Sequence, residues 1–229
     1  MSINVLLLLL SFAALGLTFW AQFRVKGSFD RWSKEAASSG MTGYDVARRI
    51  LDDNGLHDVK VEAVPGKLTD HYDPIHRVVR LSEPVYYSNS IAAISVAAHE
   101  CGHAIQHKEA YGALVLRHRM FPVVNMTSQV APILLMVGLF LGAMKLFALG
   151  ILFFAGAVAF QLVTLPVEFN ASSRAKNIMV QMGMIRNVEE RGVNKVLNAA
   201  ALTYVASTLY AVVELFRFIA LFATTNNDD

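Results

Sequence analysis

The chain has 229 residues, 55% of them hydrophobic, and a formal net charge of +2 at pH 7. Its mean hydropathy of +0.43 is too high for an ordinary water-soluble domain. No basic cluster is interleaved with aromatics, which excludes nucleic acid as a partner, and a single cysteine, Cys101, excludes an internal disulfide and fits a reducing compartment.

The apolar residues are bunched. Val5 to Phe23 is nearly charge-free and long enough to cross a bilayer. Its basic residues (Arg24, Lys26, Arg31, Lys34) follow the run instead of preceding it, which predicts a retained anchor with its N-terminus outside, not a cleaved signal peptide. Residues 24–40 are polar and small, an interfacial helix or a linker. Thr42 is placed to cap a helix carrying Val46, Ile50 and Leu51 on one side, and Gly55 to end it. Val59, Val61 and Ala63 alternate with Lys60 and Glu62, a strand pattern over 58–64 that Pro65-Gly66 breaks. Leu68 to Tyr72 and Arg77 to Leu81 flank the turn pair Asp73-Pro74 and predict a second short strand pair, ended by Pro84.

Ser88, Asn89 or Ser90 can cap the next helix, on which Ile91, Ile94, Ala98, Cys101 and Ile105 form an apolar stripe. Two further apolar runs, Pro122 to Met144 and Leu146 to Leu165, are separated only by Lys145 and read as a hairpin with that lysine at its tip. A fourth, Val196 to Ala223, contains Glu214 and Arg217, three apart and placed to pair with each other. Gln161 and Thr164 are expected to bond between helices. Twelve basic residues near the membrane ends fall in 24–120 and 169–195, against Lys145 alone on the other side; the positive-inside rule places those two segments in the cytosol.

The chemistry is concentrated in His99-Glu100-Cys101-Gly102-His103, an H-E-x-x-H box. Two His four residues apart share one helix face and can reach one metal ion, and the Glu between them can take a proton from an attacking water. Cys101 lies about 200° around the helix from both His, so it is a packing residue. A catalytic zinc usually takes three protein ligands. His107 is nearest in sequence, but ligands at i, i+4 and i+8 on one straight helix would span about 12 Å. Glu168 directly follows the third apolar run, where a carboxylate either coordinates, snorkels to water or pairs, Arg174 being the nearest cation. The cluster Asp70, His71, Asp73 and His76 is explained by turn chemistry as readily as by a second metal. His71, Tyr72 and Tyr204 are candidate donors for an oxyanion, and Arg77 to Leu81 is placed to be an edge strand that pairs with an extended substrate.

The run Glu168-Phe169-Asn170-Ala171-Ser172-Ser173-Arg174-Ala175 resembles the E-x-x-A-D-x-x-A motif of the HtpX/Ste24-type membrane gluzincins. In those enzymes the Glu is the third zinc ligand. Ser172 stands where that motif has Asp, so orientation of the zinc-binding His must come from Ser172, Asn170 or another group. With Gly66 to Pro74, Ala97 to Ala104 and Pro166-Val167-Glu168, the chain is similar, nearly throughout, to the YugP-like family of bacterial membrane zinc metallopeptidases. The resemblance implies a multi-pass plasma-membrane protein and a zinc-peptidase activity.

The expected architecture is a mainly α membrane protein with about four transmembrane helices and a cytosolic α+β zincin-like domain. Its segments are a transmembrane anchor (1–23), the cytosolic domain with the H-E-x-x-H helix and a short β-sheet (24–120), a transmembrane hairpin ending in the Glu168 segment (121–168), a cytosolic helical connection (169–195), and a fourth transmembrane helix with a short tail (196–229). The expected function is zinc-dependent endopeptidase, with His99, His103 and Glu168 on Zn2+ and Glu100 as general base. Its partners would be a polypeptide substrate, unfolded or near the membrane, the lipid bilayer, and either a membrane-protein partner or a second copy of the chain. The alternatives are a membrane scaffold with a structural zinc site and a site-2-type intramembrane protease. The charges Lys108-Glu109 just after the box argue against the latter.

Overall fold

The computed structural model describes residues 3–225; residues 226–229 of the expected short tail lie outside the described residues. In chain order the elements are α1 (Ile3–Trp32), α2 (Gly43–Asp53), β1 (Lys60–Val64), β2 (His71–Asp73), β3 (Val78–Ser82), α3 (Glu83–Tyr86), α4 (Ile91–Lys108), α5 (Gly112–Phe140), α6 (Met144–Gln181) and α7 (Asn187–Thr225). The protein is mainly helical, with four helices (α1, α5, α6, α7) long and apolar enough to cross a membrane. They turn Phe12, Ile133, Leu152 and Phe216 outward, surfaces that lipid covers without cost. The chain divides into two compact units, one of residues 1–21, 115–165 and 203–229, the other of 22–114 and 166–202.

In the first unit, α5 and α6 form the expected hairpin, but Lys145 is not at its tip. The helices are separated by Leu141–Ala143, where Gly142 takes φ +65°, and Lys145 is already the second residue of α6. The turn follows backbone permissiveness, not charge. Among the described residues Thr164 bonds within its own helix, its hydroxyl donating to Phe160 O at 2.8 Å. Gln161 Oε1 accepts no hydrogen bond among the described residues. Glu214 and Arg217 pair as expected, at 2.5 Å.

The second unit carries the polar chemistry. Residues 24–32 are helical and not a linker: with no Pro to stop it, α1 runs on to Trp32 and buries Phe29. Thr42 caps α2 in a capping box, its hydroxyl accepting from Asp45 N while Asp45 Oδ2 accepts from Thr42 N. The apolar face so started (Val46, Ala47, Ile50, Leu51) packs into one core with Val79, Leu81, Val85, Ile94, Ala98, Cys101, Met179 and Val193.

The sheet has the order β1-β3-β2. β1 runs parallel to β3, Lys60 opposite Val78 through Val64 opposite Ser82, and β2 antiparallel, Tyr72 opposite Val79. The expected edge strand at Arg77 to Leu81 is therefore the central one: both its backbone edges are used, and the edges of the sheet are β1 and β2. The second strand is also shorter than expected, starting at His71 instead of Leu68.

Candidate metal centre

The site grows from α4. Ser90 caps it, its hydroxyl accepting from Ala93 N at 3.2 Å. The stripe Ile91, Ile94, Ala98, Cys101 and Ile105 is buried throughout, which commits that face to the core and turns His99 and His103 the other way. Cys101 is a packing residue, its sulfur 3.6 Å from Ala47 O. Burial, and secondarily the Glu100 charge, push its thiol well above the ordinary range.

Gly102 brings α4 against α6. A Cβ there would stand 2.8 Å from Ala171 O and 3.2 Å from Ala171 Cα, so only a residue without a side chain permits this crossing. One turn before Ala171 on α6, Glu168 meets both imidazoles. Its Oε2 is 3.4 Å from His99 Nε2 and 3.6 Å from His103 Nε2. The imidazole rings themselves are edge-on, with centroids 4.8 Å apart.

These three side chains can hold a metal ion, their donor atoms lying within 4.8 Å of one another. The spacing suits zinc in particular: ligand bonds of about 2.0–2.1 Å in tetrahedral array put donors about 3.4 Å apart. Glu168 is 3% exposed, and a carboxylate so buried needs a cation. The surroundings favour positive charge: burial opposes protonation of His103, but Glu168 and Glu100 together hold its imidazole above the ordinary range.

The far side of each ring is also fixed. His99 Nδ1 is 3.2 Å from Ser172 Oγ, the residue standing in place of the gluzincin Asp. His103 Nδ1 donates to Gln106 Oε1 at 3.0 Å, and Gln106 Nε2 donates to Val167 O at 2.8 Å and to Asn170 Oδ1 at 2.9 Å. The amide orientation follows from the Val167 carbonyl, which accepts only from NH2; His103 Nδ1 then carries the proton and Nε2 is left to coordinate. Sequence reading missed Gln106. Its place a turn beyond His103 carries no signal, because the partners that make it an orienting group come from α6.

The other candidates lie elsewhere. Arg174 does not pair with Glu168: it holds Glu109 at 2.7 Å and Asn170 Oδ1 at 2.7 Å. His107 Nδ1 is 2.8 Å from the Tyr72 hydroxyl and stands outside the cluster. Asp73 accepts from Ile75 N, His76 N, His76 Nδ1 and Arg80 Nη1, and Asp70 from the backbone and hydroxyl of Ser82. Turn chemistry thus engages Asp73, whereas Asp70 is engaged across the fold by Ser82 at the end of β3. His71 is held by Thr69 O at 2.8 Å, and Tyr204 belongs to the first unit.

Comparison with known proteins agrees with the geometry. Residues 7–223 match the family model described as "Putative neutral zinc metallopeptidase". The chain is 64% identical over 224 residues to "Putative membrane protease YugP" of Bacillus subtilis (strain 168), a match covering 98% of this chain and all of that protein. No solved structure matches. With a His/His/Glu cluster able to hold zinc and a family model spanning nearly its whole length, the chain belongs to the neutral zinc metallopeptidase family that this model describes.

Proposed function

We propose that this multi-pass plasma-membrane protein is an endopeptidase that hydrolyses peptide bonds at the cytosolic membrane face, with His99, His103 and Glu168 holding one Zn2+. The observation that carries the reading is the meeting of Glu168 with both Nε2 atoms, at 3.4 and 3.6 Å. Zinc in such a site acts as a Lewis acid, making water a nucleophile near neutral pH and polarising a carbonyl.

The chain's own groups supply the rest. Glu100, 8% exposed and between the two His, takes a proton from the attacking water as its oxygen bonds to the scissile carbon. As the C–N bond breaks, the same carboxyl gives that proton to the leaving amine. Ser172 and Gln106 hold the two rings in the orientation that presents Nε2. The cytosolic assignment rests on the twelve basic residues of 24–120 and 169–195. Glu168 follows Leu165, the last residue of an apolar run, by three positions, which favours substrates that are unfolded or close to the membrane. With β3 in the centre of the sheet, β2 takes over as the edge beside α4 that an extended substrate would join.

The test is zinc content and peptide hydrolysis on the purified chain, comparing wild type with Glu100→Gln and Glu168→Ala. Glu100→Gln is expected to keep about one zinc and lose activity by about 10²–10⁴-fold. Glu168→Ala is expected to lose the zinc. Full zinc retention by Glu168→Ala would overturn the ligand set, and full activity in Glu100→Gln would overturn the enzyme reading.

A further inference from the structure

The second unit contains a cavity that the peptidase chemistry does not use. It has a volume of about 600 Å³ and is lined by Arg24, Arg31 and Trp32 of α1 and by Arg191 and Lys195 of α7. An adjoining hollow shares Arg24, Arg191 and Lys195 and adds Asn194, Asn198 and Leu202. No carboxylate lines either one.

The two helix segments that form it are fitted to each other. Ser28 Oγ donates to Lys195 O at 3.0 Å. Gly192 lies under the Trp32 ring, where a Cβ would stand 2.7 Å from Trp32 Cε3. The cavity wall is thus fixed by packing on both sides.

Acids near these cations in sequence are mostly engaged elsewhere, Asp30 by Lys67. Glu189 is turned away, accepting from Ser38 N, Ser38 Oγ and Arg186 N, and Glu190 pairs with Lys176 at 3.3 Å. Arg31 has Glu35 at 3.3 Å, an exposed pair of little strength. Arg191 and Lys195 thus bring positive charge to the cavity, with the Asn194 and Asn198 amides beside them.

The position along the chain says what such a cluster meets. Arg24 directly follows the apolar run Val5 to Phe23, and Lys195 directly precedes the run Val196 to Ala223. Both therefore stand at the level where a bilayer's hydrocarbon gives way to headgroups, with Trp32 supplying the amphipathic ring favoured there. Ala199 and Leu202 give the cavity an apolar side for the glycerol end of a lipid.

We propose that this cavity binds the phosphate-bearing headgroup of an anionic phospholipid. The phosphate lies among Arg24, Arg191 and Lys195, with Asn194 and Asn198 as additional donors.

The test is lipid binding to the full-length protein in detergent, by native mass spectrometry, titrating phosphatidylglycerol and phosphatidylcholine separately. Wild type is expected to bind phosphatidylglycerol at least tenfold more tightly, and Arg191→Gln with Lys195→Gln to lower that affinity about tenfold while leaving phosphatidylcholine unchanged. Because Ser28 bonds to the backbone of residue 195, the double variant keeps its zinc content and melting temperature. Lys145→Gln, outside the cavity, is expected to change nothing. Equal affinity of wild type for the two lipids overturns the proposal whatever the variants do. An unchanged phosphatidylglycerol affinity in the double variant also overturns it. Displacement of the lipid by millimolar inorganic phosphate would show a free-phosphate site instead, and binding of polyglutamate without the lipid preference would show an acidic-peptide site; either result overturns the lipid assignment.

Discussion

Gln106 and Asn170 meet amide to amide at 2.9 Å, one on α4 and the other on α6, so the two helices that supply the metal site are tied by hydrogen bonds as well as by packing. The same Gln106 amide accepts from His103 and donates to Val167 O.

Gln106→Ala leaves His103 Nδ1, Val167 O and Asn170 Oδ1 each short of a partner. The expected cost is about 1–3 kcal/mol of stability, since buried groups lose their bonds without regaining water. Zinc affinity should fall about 10–100-fold, because the His103 ring is no longer oriented. Chelator competition and thermal melts with and without zinc measure the two effects separately; unchanged zinc affinity would refute the orienting role.

Ser172 is the departure from the gluzincin motif that contacts a ligand ring, and its role is separable by substitution. Ser172→Ala is expected to weaken zinc by about tenfold through loss of the His99 Nδ1 partner, whereas Ser172→Asp keeps or strengthens binding by restoring an acceptor there. The measurement is again chelator competition. Equal affinity in all three proteins would show that His99 needs no help from this position.

Gly102→Ala drives a methyl into Ala171 O at 2.8 Å, and backbone cannot swing aside as a long side chain does. Overpacking of this kind costs about 1–3 kcal/mol, and here it also moves Glu168 away from the imidazoles, so zinc content and stability are expected to fall together. Gly112→Ala, with nothing within 4 Å of its Cβ position, serves as the control and should change neither.

Asp73 is expected to make the stability of the sheet depend on pH. Its carboxylate accepts from the backbone N–H and ring of His76 and from Arg80 and Ile75, which outweigh its slight burial and hold its pKa well below the ordinary value of 3.8. A depressed carboxylate pKa means that the unfolded chain binds the proton first. The stabilisation is therefore complete above about pH 5 and is lost progressively as pH falls below about 4. Asp73→Asn is expected to be less stable than wild type at pH 7, with the gap narrowing as pH falls from about 5 toward 3. A gap constant across that range would show that the charge of Asp73 does not contribute.

What was legible in the sequence was local. Thr42 and Ser90 announce their helices because a capping hydroxyl acts within three residues, and the box and Glu168 stand out because their chemistry is uncommon beside apolar runs. Strand order was not legible: Arg77 to Leu81 looks the same at the centre of a sheet as at its edge, and only the distant pairing of Lys60 with Val78 decides. The end of α1 was not legible because hydropathy changes at Arg24 while the backbone has no reason to stop there. Gln106 was invisible because an amide becomes an orienting group only through what another helix places beside it.

All of α5 and the apolar part of α6 separate His103 from Glu168 along the chain. During synthesis the H-E-x-x-H box leaves the ribosome first, and two imidazoles alone make an incomplete and weak zinc site. The third donor arrives only after two more apolar runs have been made, so the order of synthesis itself delays the protease until three of its four membrane-length runs exist to confine it.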